Sequence, residues 1–160
     1  MADQLTVQIE FCDADATQPD PVRVAALADA ALATLRAQGF VPQPVYTGAM
    51  GGDLYEVVRQ LAEGAAANKD VVLALITGVA APIAGALAAR LGQRAAAKPA
   101  APAPAAVVVI VEGVQVAVRE PEITPDELLQ RLLATDPALA SKVSPATRAV
   151  VRVYTKADSR

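Results

Sequence analysis

VVLALITGVAAPIAGALAARLG, residues Val71 to Gly92, decides how this chain folds. Nineteen residues, Val71 to Ala89, pass between Asp70 and Arg90 without a charge. Such a run is a membrane span, a buried core helix, or a helix with one face in the domain and the other kept for a partner. About twenty apolar residues cross a bilayer, and Gly78, Gly85 and the alanines would let helices approach closely. Alanine and glycine drive insertion only weakly, however, and Pro82 is costly on an insertion scale. In any setting a proline in mid-helix removes a backbone hydrogen bond and bends the helix. The pattern predicts a helix from Val71 to about Ala97.

On the N-terminal side, LTVQIEFC (Leu5–Cys12) alternates with period two. Leu5, Val7, Ile9 and Phe11 share one face, and Thr6, Gln8 and Glu10 the other, the pattern of a half-buried strand. Asp20 and Pro21 then suit the cap and first position of a helix. Val24, Leu27, Ala28, Ala31 and Leu35 follow at helical spacing, and Gly39 suits a left-handed C-terminal cap. FVPQPVYT reads as an edge strand or extended connector, because Pro42 and Pro44 cannot donate to a ladder. In GGDLYEVVRQLAEGAAA, Asp53 and Glu56 fit a capping box, and Leu54, Val57, Val58 and Leu61 form an apolar stripe. That spacing predicts a helix over Leu54–Ala67, folded back on the 71–97 helix. The Gly51–Gly52 pair is a poor phosphate cradle, since Asp53 and Glu56 occupy the amides and repel an anion.

On the C-terminal side, AAAKPAAPAPAA (95–106) is low-complexity and reads as a semi-stiff linker. VVVIVEGVQVAVRE (107–120) reads as two strands turning at Glu112–Gly113. The first is apolar on both faces, as in the interior of a sheet. Thr124, Pro125 and Glu127 start a helix whose stripe is Leu128, Leu129, Leu132 and Leu133. DPALASKVSP makes a short helical turn or loop. TRAVVRVYTK closes the chain as an alternating strand, with Ala149, Val151 and Val153 opposite Arg152 and Tyr154. The order β-α-(β)-α-α-β-β-α-β predicts an α+β fold: a mostly antiparallel sheet, helices on one face and an Ala-rich helical hairpin. Residues 1–94 form a strand–helix unit plus the hairpin, 95–106 the linker, 107–156 a ββαβ unit completing the sheet, and 157–160 a tail. One sheet drawing strands from both sides of the apolar run argues against a single span there.

Composition narrows the chemistry. The 160 residues contain no histidine, no tryptophan and one cysteine, with a net charge of −3. Histidine-based triads and histidine-ligated metals are therefore out. Neither a phosphate-binding loop nor a dinucleotide fingerprint is present. The acidic balance disfavours nucleic acid, and Arg90, Arg94 and Lys98 read as the cationic end of a helix. Cys12, at the end of the first strand, reads as a small packed side chain rather than a reactive thiol. An enzyme using tyrosine, lysine and carboxylates has no pair at a recognisable spacing, so no catalytic, cofactor or metal site is expected. MADQLTVQIE has neither the basic nor the apolar region of a signal peptide, which points to the cytoplasm.

The run GAMGGDLYEVVRQLAEGAAANKDVVLALITGVAAPIAGALAARLGQR, followed by VVVIVEGVQVAVRE and a leucine-rich helix, resembles the effector-associated constant component family. These are small bacterial proteins linked to conflict and programmed-death systems. Met50–Gly51 matches the family's Pro/Gly-Met-Gly turn and Gly113 its hairpin glycine. Ala89-Arg90-Leu91 stands in place of a Trp-Leu-Arg-like element, and the linker is longer than in the family. The resemblance implies a non-enzymatic adaptor or scaffold of a defence system, partnered by an effector protein or by its own copies. The expected interaction surface is Met50, Leu54, Val72, Leu75, Ile76, Val79, Ile83 and Leu87. The alternative is a membrane-inserting or pore-forming component that uses the charge-free helix 71–89 and is membrane-associated.

Overall fold

The computed structural model describes residues 4–12, 21–49, 52–60, 69–89, 104–143, 147 and 149–155. The first alternating segment is strand β1 (Gln4–Cys12) and the next apolar stripe is helix α1 (Pro21–Ala37). Val24, Leu27, Ala28, Ala31 and Leu35 are buried as their spacing requires. Gly39 ends the helix at φ 91°, where the Phe40 amide reaches back to the Leu35 carbonyl and the Gly39 amide to that of Arg36, each at 3.0 Å. That is the Schellman arrangement, which needs a left-handed residue at its turn. Asp20 lies outside the described residues.

Two strands follow, β2 (Gln43–Ala49) and β3 (Gly52–Gln60). Strand β3 corrects the expected helix over Leu54–Ala67, and with it the first arm of the helical hairpin; residues 61–67 lie outside the described set. DLYEVVRQ satisfies both periods. Leu54, Val57 and Val58 fit 3.6, whereas burial follows period two, with Tyr55 and Val57 buried and Val58 exposed. Pairing decides. β3 runs antiparallel to β1 in unbroken register from Gln4↔Gln60 to Cys12↔Gly52 and also pairs β2, so it is satisfied on both edges. Tyr55 meets Phe11 edge to face, ring centroids 5.9 Å apart, on the buried side.

The charge-free run is helix α2 (Lys69–Ala88), which runs continuously through Pro82. Gly78 and Pro82 are both exposed, so the Gly78 carbonyl that the proline cannot satisfy faces solvent. Ala89 is a turn residue, so the helix ends short of the expected Ala97; residues 90–103 lie outside the described set. Thr77, buried in mid-helix, donates to the Leu73 and Ala74 carbonyls at 3.2 and 3.0 Å and so leaves no orphan hydroxyl.

The second half contains β4 (Pro104–Val111), β5 (Val114–Ala117), α3 (Pro125–Thr135), the single turn α4 (Leu139–Lys142) and β6 (Ala149–Thr155). Residues 104–106 of the expected linker thus belong to a strand. Glu112 and Gly113 both have positive φ, 48° and 80°, as a two-residue hairpin turn demands. Glu112 is held there by Thr147, whose hydroxyl donates to Oε1 at 2.8 Å. The Thr124 half of the capping box of α3 is formed: the Glu127 amide donates to Thr124 Oγ1 at 3.1 Å, and the Thr124 hydroxyl donates to Glu127 Oε1 at 3.2 Å. The 157–160 tail lies outside the described residues.

All six strands join one sheet in the order β2-β3-β1-β6-β4-β5. Every neighbouring pair is antiparallel except the central one, β1 and β6, which is parallel. The fold is α+β with a mostly antiparallel sheet. Helices α1, α2 and α3 each link strands that run in the same direction. β1→β2 and β5→β6 step one way across the sheet; β3→β4, whose strands point oppositely, steps the other way. Reversing both direction and step is a rotation about the sheet normal, so crossovers of one hand put every helix on the same face. Burial agrees. Leu5, Val7, Ile9 and Phe11 of β1, Val107, Val109 and Val111 of β4, and Ala149, Val151 and Val153 of β6 are at most 1% exposed. The residues between them keep partial exposure.

Helix α2 is the centre of the covering layer. It packs on β1, β4 and β6 and touches α1, α3 and α4. A Cβ on Gly85 would lie 2.7 Å from the Pro121 carbonyl oxygen, so glycine lets the 118–123 segment lie directly on the helix. Among the described residues no helix is long and apolar enough to cross a membrane. The sheet also takes three strands from each side of α2, which could not stay together if that helix spanned a bilayer.

Candidate functional site

The expected interaction surface on α2 is not on the surface. Val72, Ile76, Ile83 and Leu87 are at most 1% exposed, Val79 is buried, and Leu75 packs partly buried against the core. The physical reason is that the helix lies across the middle strands and under α3, so nearly its whole circumference beyond Val79 is covered. Its exposed stripe is Ala74, Gly78, Pro82 and Ala89, small residues offering little apolar area. Leu54 is half-buried on β3 and points away from the helices. Met50 lies outside the described residues.

The surface that the fold leaves open is the other face of the sheet, which no described helix covers. Strand register assembles it. On the central pair, Gln8 lies beside Val150, Glu10 beside Arg152, and Cys12 beside Tyr154. Outward from there, Leu54 and Glu56 stand next to Glu10 and Gln8. On the other side Val108 and Ile110 stand next to Arg152 and Val150, and Ala117 and Gln115 of β5 lie beyond. Val58 is 45% exposed near one margin. Neither edge strand extends this surface easily: β5 has four residues, and β2 carries Pro44 and two register irregularities.

At the centre of the face is a linked polar group. Cys12 Sγ donates to Glu10 Oε1 at 3.1 Å, and Arg152 Nη2 approaches Glu10 Oε2 at 3.5 Å. The side chains of Arg152 and Glu10 remain 30% and 26% exposed. A hydrogen bond to the Tyr154 side chain, and the charge of Glu10, hold the guanidinium above its ordinary value, so Arg152 is a permanent cation. Its Nε is buried and finds no acceptor among the described residues. Burial, and then the bond to Glu10 and its charge, push the Cys12 thiol up to about 12. The thiolate is the nucleophile and the metal ligand, so a thiol protonated at neutral pH is neither. Among the described residues no group of three or more potential ligands could hold a metal ion. The arrangement sets a guanidinium and a carboxyl group side by side among Val, Ile, Leu and Tyr side chains.

Most of these residues were visible as the polar face of alternating strands, but nothing in LTVQIEFC or TRAVVRVYTK says that the two segments lie side by side. The apolar second face of VVVIV was the one available signal. It marks β4 as an interior strand, flanked by β6 and β5, but its outer side chains Val108 and Ile110 are only half-buried.

The chain matches no family model, no curated protein and no solved structure.

Proposed function

We propose that this chain is a non-enzymatic cytoplasmic adaptor or scaffold, an accessory of a bacterial conflict system that acts by protein–protein contact through the open face of its sheet. The observation that carries the reading is the Glu10–Arg152 pair set among Leu54, Val108, Ile110, Val150 and Tyr154 on a face that no described helix covers. Contiguous, partly exposed apolar side chains around a fixed charge pair have the make-up of an interface: an apolar area for affinity and charges for register. The protonated thiol of Cys12 supports contact over nucleophilic chemistry. The resemblance to effector-associated constant components supplies the setting, a defence operon whose effector the adaptor serves.

The test is binding between the purified chain and each protein encoded beside it. One effector-type neighbour is expected to bind. Ile110→Lys, on the open face, weakens that binding at least about tenfold, the effect of losing about 1.4 kcal/mol. Ala74→Lys, on the exposed stripe of α2, leaves it unchanged. Absence of any bound neighbour, or equal binding by the Ile110 variant, overturns the reading.

A further inference from the structure

We infer that the occupant of the open face is a second copy of this chain, packed sheet to sheet about a two-fold axis lying between β1 and β6. The inference rests on the choice of surface made above and names its resting occupant, so an effector that binds the same face does so in competition with the second copy.

β1 and β6 are adjacent and parallel, and Glu10 and Arg152 are direct register partners on them. A two-fold axis in the interface, parallel to these strands and midway between them, lays β1 of one copy over β6 of the other. Glu10 then faces the Arg152 of the second copy, and Arg152 faces its Glu10. One axis makes both contacts, giving an alternating quartet of two carboxylates and two guanidiniums. The face is complementary to itself, as an isologous contact requires.

The monomer leaves capacity for the extra contact. Arg152 has five donors. Its contact with Glu10 is long, 3.5 Å, and Nε has no acceptor. Each carboxylate accepts up to about four bonds; Glu10 takes one from Cys12 and one from Arg152. Around the quartet, Leu54 of one copy comes opposite Val108 of the other, since they flank the two polar residues on either side. Facing sheets pack about 10 Å apart and within about 30° of parallel, so this central match tolerates the twist better than any at the margins.

The size is adequate. Six strands at about 4.8 Å spacing and about 3.3 Å per residue give a face on the order of 600 Å² in flat projection. Side-chain relief raises the accessible area toward the roughly 800 Å² that each partner contributes to a standard interface. Burying the quartet costs desolvation, so the charges fix the register while Leu54 and Val108 supply apolar contact; in the next row the same axis sets Gln8 opposite Val150 and Glu56 opposite Ile110.

Charge reversal with complementation tests the proposal on the full chain. Sedimentation equilibrium at about 100 µM, where a micromolar interface is filled, is expected to give wild type at twice the 16.4 kDa chain mass. Glu10→Arg and Arg152→Glu each sediment as single chains, and an equimolar mixture returns to twice the chain mass. The pair inside one chain cannot produce that rescue, because each variant carries two like charges. Wild type at single-chain mass overturns the inference, and so does a dimer that both reversals leave intact or a mixture that stays monomeric. Should a reversal lose its folded circular dichroism spectrum, Val108→Lys replaces it: a single-chain mass for that variant supports the face, and a persistent dimer overturns it. A monomeric wild type whose neighbour binding is still lost in Ile110→Lys separates the two claims, since the adaptor reading then stands without self-association.

Discussion

On β1, Leu5, Val7, Ile9 and Phe11 are at most 1% exposed, whereas Thr6, Gln8, Glu10 and Cys12, each one residue along, keep partial exposure. β6 divides in the same way between Val151 and Arg152. Both faces are built by the same strands from the same alternation, and among the described residues only one receives helices. The covered face is a core; the other carries a charge pair and a ring of half-buried aliphatic side chains. A sheet coated on one side by crossovers of one hand keeps a broad, nearly rigid surface whose side chains are free to serve something other than stability.

Matched truncations break or sharpen this contrast most strongly. Phe11→Ala empties a site in the covered core and is expected to cost about 3–5 kcal/mol in urea unfolding. Val150→Ala on the open face is expected to cost under about 1 kcal/mol, because little packing there is lost. Equal losses would mean that the second face is also a core.

Next come the two glycines of α2, one under cover and one not. Gly85→Ala forces a methyl against the Pro121 carbonyl and is expected to destabilise by about 1–3 kcal/mol. Gly78→Ala meets nothing within 4 Å and is expected to stabilise by roughly 0.5–1 kcal/mol through helix propensity. Thermal midpoints that move in opposite directions establish which stripe of α2 is buried. Thr124→Ala, which deletes the cap of α3, should cost about 1 kcal/mol.

Smaller effects lie in pH. The Cys12 thiol, ordinarily near 9.0, is pushed up to about 12, first by burial and then by its bond to Glu10 and the charge there. Folding thus favours the protonated form. That contribution is fully present below pH 9 and is lost as pH rises toward 12. Alkylation of the native chain at pH 9 is expected to lag far behind that of the urea-unfolded chain, and a matching rate would refute the raised value. Glu120 is the mirror case on the surface. Its hydrogen bond from Arg131 at 2.8 Å holds it down at about 2, against an ordinary 4.5. Its contribution is present above pH 4.5 and lost as pH falls toward 2, so Glu120→Gln should slightly flatten the acid limb of stability. The group is fully exposed and the effect small.

Legibility followed the range of the interactions. The 124–135 helix could be read completely, because Thr124, Pro125 and Glu127 act within one turn and Leu128 and Leu132 repeat at its period. The Gly39 cap and the Glu112–Gly113 turn were equally local. The 54–60 segment was misread because its local signals, Asp53 with Glu56 and Leu54 with Val57, favour a helix. They are outweighed by ladders to β1, distant in sequence, and to β2, which lies just before the segment. The docking surface expected on α2 was misplaced for a related reason. Apolarity shows that a helix must be buried somewhere, and the alanine-rich composition of α2 does not distinguish burial by its own domain from burial by a partner.

By itself, then, the sequence determined five of the six strands or their alternatives, the start of α3, the two left-handed turns and the split of every clear strand into an apolar and a polar row. Each of these depends on contacts within a few residues. Only the tertiary structure decided that β1 and β6 lie side by side, that 54–60 is a strand between β2 and β1, and that the described helices gather on one face. Those outcomes depend on strand pairing and crossover hand, and the β1–β6 pairing joins Glu10 to Arg152 across 142 residues of chain. They bring Glu10 next to Arg152, residues that no local pattern could have joined.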